Sequence, residues 1–344
     1  MKKAIIQINR LYTVMFIALI AGSCHKEQKM PEASTNPSFS SVSPAEGPGG
    51  ALITVNGSGL GQIMSIVFDN NDVPASFNPV FNTESNILFR VPDTAYGGDQ
   101  NIILTNTKGY QVSVPFKVIA TASVTSASAY EFETGSTLIL KGNNLESVTN
   151  VVIDGTTDAA TIVSSTRNTL ELTMPSSAVI RGRLQITNAS GTVVTDQEFA
   201  NLEKVFVYFK DGFGPGVEDW SWSSVHAPTS GQVFMGSSAL EVKYGSGGWQ
   251  GLSFRTGTLV PASDYAYLSF WIKGGTQDNA MKIYSDQGGT GVESIPVPKD
   301  VWTYYKIPIQ GFLNGVNIER LNFQMRGPEN SDQTVYLDNV ILVK

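Results

Sequence analysis

The chain has 344 residues, of which 15% are charged against about 25% in an average soluble domain, with 33 Gly and a net charge of −7 from 23 Lys plus Arg and 30 Asp plus Glu. That length allows two or three domains, the low charge excludes coiled coils, long-helix bundles and highly charged disordered chains, and the negative balance excludes generic attraction to nucleic acid. Two His and one Cys exclude an intrachain disulfide and any zinc site built from four Cys, from two Cys with two His, or from three or more His.

Residues 1–24 read as an export signal. Lys2, Lys3 and Arg10 give a basic start, Leu11 to Ile20 form an apolar run too short to be a comfortable permanent span, and Ala21, Gly22 and Ser23 lead into Cys24. The segment resembles a bacterial lipoprotein signal, although Ala21 stands where Leu is common. The resemblance implies that Cys24 carries the lipid and that the chain is anchored to the outer membrane, exposed at the cell surface. Residues 25–36 are rich in Lys, Glu, Gln, Ser and Pro and lack apolar periodicity, as expected of a flexible tether.

From Phe39 onward, apolar and polar residues alternate between Gly and Pro turns. Phe39 to Pro44, the turn Gly47-Pro48-Gly49-Gly50 and Leu52 to Leu60 predict strand, turn, strand. Ile66 to Asp69, Ile87 to Pro92 and Ile102 to Asn106 extend the pattern. It recurs after about 84 residues, pairing Gly57 with Gly142, Pro92 with Pro175 and Asn106 with Asn188, a period suited to tandem small sandwiches. The first copy resembles the IPT/TIG immunoglobulin-like family, and the second is a weaker version without the Gly-Pro-Gly-Gly turn. Two immunoglobulin-like domains are therefore expected, over 37–119 and 120–203, serving as spacers.

The composition shifts near Val205, since all five Trp and eight of the twelve Tyr follow it. Strands are predicted at Ala239–Tyr244, Gln250–Phe254, Tyr267–Lys273, Met281–Ser285, Trp302–Ile309, Leu321–Met325 and Thr334–Val343, which makes 204–344 a jelly-roll β-sandwich and the whole chain all-β. The order Asp219-Trp220-Ser221-Trp222, Gly236 to Val242, Gly248 to Leu252, Leu268 to Gly275, Trp302 and Val335 to Val340 resembles the galactose-binding-like jelly rolls, many of which are carbohydrate-binding modules. With the signal and the spacers, the chain is similar to the surface glycan-binding proteins of Gram-negative polysaccharide-utilisation systems. This implies non-catalytic capture of a polysaccharide or oligosaccharide beside a glycan transporter complex.

Alternation along strands selects the binding side chains, because neighbours point to opposite faces. Asn322, Gln324 and Arg326 fall on one side of their strand, and Trp249, Ser253, Arg255, Lys282, Tyr284, Trp271 and Lys273 are likewise outward. An exposed indole or phenol stacks on the C–H face of a sugar while amide, ammonium or guanidinium groups donate to its hydroxyls. Trp220, Trp222, Trp249, Lys273, Tyr284, Gln324 and Arg326 are accordingly the expected glycan contacts, whereas Trp302 and Trp271 suit packing. The jelly-roll resemblance also implies a structural Ca2+ held by Asp211 and Asp338 with a carbonyl from the Ser237 to Ser238 turn.

An enzyme is the weaker reading. Glu218, Asp219, Asp286, Glu293 and Glu329 could supply a glycosidase pair, but none sits in a recognisable motif, and His226 has no Gly-x-Ser-x-Gly elbow to serve. An adhesive or structural lipoprotein binding a protein partner is the other alternative, favoured by a contiguous exposed apolar patch.

Overall fold

The computed structural model describes residues 32–222, 224–247, 249–286, 288–313, 315–327 and 332–344. The signal segment, Cys24 and most of the tether lie outside the described residues, as does Glu329; of Glu293 only the backbone is described. The described chain is all-β apart from one 3-10 turn at Ala262–Asp264, and none of its helices is long and apolar enough to cross a membrane. It divides into two compact units, up to Ala120 and from Thr121.

The first unit is one sandwich. Ser38–Ser43, Leu52–Ser58, Asn86–Arg90 and Phe77–Asn82 form one sheet, and Glu46–Gly47, Gln111–Val118, Gly98–Asn106, Ile63–Phe68 and Val73–Pro74 the other. The period-two pattern has its expected result: Ile53, Val55, Ile102 and Leu104 are fully buried beside an edge-on Phe68–Phe116 pair. Residues 32–36 are not a free tether, however. Ala33 is buried, Asn106 Nδ2 donates to the Ser34 carbonyl at 2.7 Å, and Lys108 pairs with Glu32 at 3.3 Å. The small Ala33 side chain and the Ser34 carbonyl find partners on the sandwich.

The second unit holds two sandwiches sharing a packed boundary. In the first of these, Ser123–Ala127, Thr137–Asn143, Thr169–Thr173 and Thr161–Ser165 face Glu131–Phe132, Gly191–Asn201, Arg181–Asn188 and Val148–Ile153. In the second, a six-stranded sheet runs Ser224–Thr229, Ala239–Tyr244, Gln333–Val343, Tyr267–Gly274 and Thr303–Pro308, with Phe206–Phe209 also pairing with Gln333–Val343. Its five-stranded partner runs Val217–Asp219, Gly251–Pro261, Asn317–Gly327, Asn279–Ser285 and Gly288–Val297. Leu252, Phe254, Phe270, Met281, Ile283, Phe323, Val335 and Leu337 meet between these sheets, so polar residues at the alternate positions are turned outward.

The boundary within the second unit explains Trp271. This side chain points outward from its own sandwich, yet it is only 7% exposed because the immunoglobulin-like neighbour and the loop carrying Phe234 cover it. Phe234 stacks on it at 3.7 Å, Tyr130 lies parallel at 6.2 Å, and its indole N–H donates to Glu131 Oε2 at 2.9 Å. Beside it, Glu198 accepts from Lys306 at 2.9 Å and Arg181 at 3.2 Å. Both cations also approach the Tyr267 ring, at 4.1 and 5.7 Å.

Candidate functional site

The outward face of the five-stranded sheet gathers most of the aromatic and amide residues singled out above. Strand pairing sets Gly251 opposite Gln324 and Gln324 opposite Lys282, with Ser253 opposite Asn322 and Asn322 opposite Tyr284 in the next row. The segment Trp220–Trp222 continues the edge strand Val217–Asp219 alongside Gly251–Ser253. Trp222 exchanges backbone hydrogen bonds with Gly251, and Trp220 N–H donates to the Ser253 carbonyl at 2.9 Å.

A glycine is required where the Trp222 ring rests. A Cβ on Gly251 would lie 2.2 Å from Trp222 Cζ2 and 2.3 Å from Cη2, inside any real carbon contact, so the indole lies directly on the backbone of the sheet. Its N–H donates to the Trp249 carbonyl at 2.7 Å, which also accepts from Gln324 Nε2 at 3.0 Å. The two contacts fix the Trp249 backbone and leave its side chain 55% exposed. Trp220 is 48% exposed and carries the Arg255 guanidinium at 4.2 Å over its ring. Such stacking orients an indole without using its polar edge, which here donates to Glu218 Oε2 at 3.0 Å.

Arg320 is the residue that the strand reading missed. Its guanidinium lies 5.9 Å from the Trp220 ring and 5.8 Å from Trp222, its Nε donates to Ser253 Oγ at 3.1 Å, and its Nη1 pairs with Asp286 at 2.7 Å. Continuing the Asn322, Gln324, Arg326 alternation one step back would have found it. Asp286 also accepts from Asn322 Nδ2 at 2.6 Å. Asn322 is fully buried, so the row expected to be open is covered at its centre, and Asn322 Oδ1 has no hydrogen-bond partner among the described residues. Tyr284 is half-buried with Lys282 over its ring at 5.0 Å. Burial, with the Asp286 charge nearby, pushes its hydroxyl pKa up, so the phenol is a neutral donor and acceptor at ordinary pH.

The structure thus brings Trp220, Trp222, Trp249, Tyr284 and Gln324 to one sheet face, with Arg326 exposed on the same strand as Gln324. Lys273 does not join them. It projects from the opposite, six-stranded sheet, where Nζ holds Gln232 Oε1 at 2.7 Å and Asp300 Oδ1 at 2.6 Å. Alternation separates inward from outward on each strand, but a sandwich has two outward faces. Trp302 is half-buried, edge-on to Phe234 at 5.8 Å.

The carboxylates of the aromatic face are paired rather than poised. Glu218 and Glu319 hold Arg255 at 3.0 and 3.1 Å, and Asp286 holds Arg320. A glycosidase acid needs a carboxyl against an apolar wall that keeps it protonated, and each of these faces a guanidinium. Asp219 pairs with His226 and accepts the Ser221 hydroxyl at 2.6 Å. The Ser221 hydroxyl therefore donates to the Asp219 carboxylate and not to the His226 imidazole.

Asp211 and Asp338 occur near one loop, but the groups around them do not fit calcium. Asp211 Oδ1 accepts from the backbone N–H of Ser237 and Ser238 at 2.5 and 3.0 Å and from Ser237 Oγ at 3.0 Å. Buried Asp338 accepts from the N–H groups of Phe234, Met235 and Asn339 at 3.0, 3.1 and 2.9 Å. Gly236 makes the loop possible, because at φ +77° a Cβ would lie 2.4 Å from Asp211 Oδ1. Calcium needs oxygen lone pairs, whereas N–H groups present hydrogen. A chelator is expected to leave the thermal midpoint unchanged; a drop on chelation, reversed by calcium, would establish the metal.

The IPT/TIG domain model matches residues 37–118 and 122–200. These two segments are IPT/TIG domains. The second match includes the copy without the Gly-Pro-Gly-Gly turn, so the turn is dispensable to the fold. No curated protein matches the chain. Among solved structures, the surface glycan-binding protein PbSGBP-B from Prevotella bryantii is similar over 90% of this chain and 99% of its own, at 14% identity and a TM-score of 0.57. That likeness shows a shared fold. SGBP-B from a complex xyloglucan utilization locus in Bacteroides uniformis matches 90% of this chain and 99% of its own at 18% identity, with a TM-score of 0.44. A family 29 carbohydrate-binding module matches 40% of this chain and 89% of its own at 16% identity, with a TM-score of 0.30.

Proposed function

We propose that the protein captures a polysaccharide, without cutting it, on the outward face of its C-terminal five-stranded sheet. The observation that carries this reading is the set of three indoles on and beside one face, two of them about half exposed, interleaved with Gln324, Arg320 and Tyr284. Trp220 and Trp249 supply platforms for sugar rings, and the polar groups between them reach the hydroxyl rim. The fold shared with a surface glycan-binding protein supports the same reading. Stacking on a solvated sugar returns little net free energy, so retention depends on several rings or several sites engaging one polymer. The IPT/TIG domains act as spacers, and a lipid on Cys24 holds the chain at the outer membrane, facing outward beside a glycan transporter.

Titration of soluble polysaccharides against intrinsic Trp fluorescence tests the site. A binding polymer should shift the emission of the wild type and protect it from a neutral quencher, with both effects reduced in Trp249→Ala. A polymer that binds without altering emission would place the site elsewhere. For the anchor, Cys24→Ser is expected to move the protein from the membrane fraction to the soluble one, and unchanged membrane retention would contradict lipidation.

A second reading, adhesion to a protein, is favoured at one place. In the first IPT/TIG domain, Leu52, Phe77, Phe81 and Leu88 line an open groove of about 530 Å³, with Leu52 and Phe81 about half exposed. Leu52→Ser with Phe81→Ser would separate the readings, since glycan capture is expected to survive this double change.

A further inference from the structure

His226 has no serine elbow to serve, but it reaches the edge of the aromatic face from the other sheet. It lies on the edge strand Ser224–Thr229 of the six-stranded sheet, directly opposite the core residue Val242, so its side chain turns inward. There its Nε2 meets Asp219 Oδ2, at the end of the edge strand of the five-stranded sheet. A carboxylate has no hydrogen to offer, so this nitrogen carries the proton. His226 Nδ1 is buried with no hydrogen-bond partner among the described residues.

The other oxygen of Asp219 acts on the segment that carries two of the indoles. Oδ1 accepts from the Ser221 backbone N–H at 2.9 Å and from the Ser221 hydroxyl at 2.6 Å. With its proton directed to Asp219, Ser221 Oγ turns a lone pair to the Ser253 N–H, which donates to it at 3.0 Å. The hydroxyl thus stands as a side-chain rung between the Trp220 N–H bond to the Ser253 carbonyl and the paired bonds of Trp222 with Gly251. Ser253 is fully buried, so without this rung its N–H would lose a partner where water does not reach. We propose that His226 is a positioning residue for glycan capture: through Asp219 and Ser221 it holds Trp220 and Trp222 in the arrangement that meets the sugar. The proposal rests on reading the aromatic face as the capture site.

The test compares His226→Ala, His226→Gln and His226→Asn in the full chain, with Ser221→Ala as a second entry into the same chain of hydrogen bonds. Gln sets an amide N–H where the imidazole has Nε2, whereas the Asn amide falls short, at the place of Nδ1. Affinity for a polymer that retains the wild type is expected to fall about tenfold in His226→Ala, His226→Asn and Ser221→Ala, and His226→Gln should recover most of the loss. The double variant His226→Ala/Ser221→Ala should lose no more than either single one, since both break one chain. In the ligand-free protein, the indole N–H NMR resonances of Trp220 and Trp222 should move in His226→Ala while those of Trp271 and Trp302 stay in place. Equal losses in His226→Gln and His226→Ala would overturn the hydrogen bond as the cause, and additive losses would overturn the route through Ser221. Wild-type affinity in a folded His226→Ala, or unmoved Trp220 and Trp222 resonances, would overturn the inference and leave glycan capture standing. A wild type that binds no polymer would remove the capture reading, and the ligand-free resonances would still decide whether His226 positions the two indoles.

Discussion

Trp271→Ala is expected to destabilise the unit comprising residues 121–344 by about 3–5 kcal/mol, the usual range for deleting a buried large aromatic side chain. The ring is held between Phe234 and Tyr130, and its removal also takes from buried Glu131 the indole N–H donor. Burial, with the Asp338 charge nearby, pushes the Glu131 carboxyl from 4.5 up to about 7. A carboxyl whose pKa is higher in the folded than in the unfolded chain binds its proton more tightly when folded. Stability is therefore fully present below about pH 4.5 for this group and is lost as pH rises through about 7. The ceiling on that loss is on the order of 3 kcal/mol. Glu198 and Asp211, held below the ordinary carboxylate range by hydrogen bonds and neighbouring cations, act in the opposite sense only at lower pH. Burial also pushes the Asp338 carboxyl from 3.8 up to about 6, which adds a loss of the same sign over the same window. Melting curves at pH 5.5 and pH 8 should thus show a higher midpoint at pH 5.5, by several degrees. Glu131→Gln keeps an oxygen acceptor for Trp271 and should reduce the difference. A wild type equally stable at both pH values would contradict this account of the boundary.

Gly251→Ala is expected to weaken glycan capture by tenfold or more, although it adds a single methyl group to a strand. The new Cβ would fall 2.2 Å from the Trp222 ring, so the indole must lift and lose its bond to the Trp249 carbonyl. Trp249 and Gln324 share that carbonyl, and a displaced Trp222 therefore disturbs two neighbours at once. A tenfold loss is about 1.4 kcal/mol, comparable to one aromatic stacking contact. The strand itself should persist, because Ala is better suited than Gly to a strand interior. Equilibrium binding of wild type and variant to the same polymer, with melting curves alongside, checks both halves. Full binding by a folded Gly251→Ala would show that Trp222 has no part in the site.

Much of the fold was legible because period-two alternation is a local signal. The seven C-terminal strands and both IPT/TIG copies follow from it, and so does the core of Leu252, Phe254, Met281 and Ile283. Val217–Asp219 and Gly288–Val297 were not legible, since the first is three residues long and the second is broken by Gly288, Gly289 and Gly291. The site was legible in part for the same reason. Outwardness of Gln324, Tyr284 and Lys273 could be read along each strand, but which strands share a sheet is a long-range fact, and it separates Lys273 from the others. Trp271 was outward as expected, and the adjacent domain together with Phe234 buries it. The jelly-roll resemblance brings Asp211 and Asp338 to mind as ligands, but does not reveal the N–H groups that each carboxylate accepts from.

The most direct test of the central claim is affinity electrophoresis of the wild type and Trp220→Ala/Trp249→Ala through gels containing plant, algal and microbial polysaccharides. The account predicts that one glycan class retards the wild type, that the folded double variant runs as in a polymer-free gel, and that the polymer is recovered uncut. Retardation unchanged in the double variant would contradict the placement of the site on this sheet, and no retardation of the wild type on any polymer would contradict glycan capture itself.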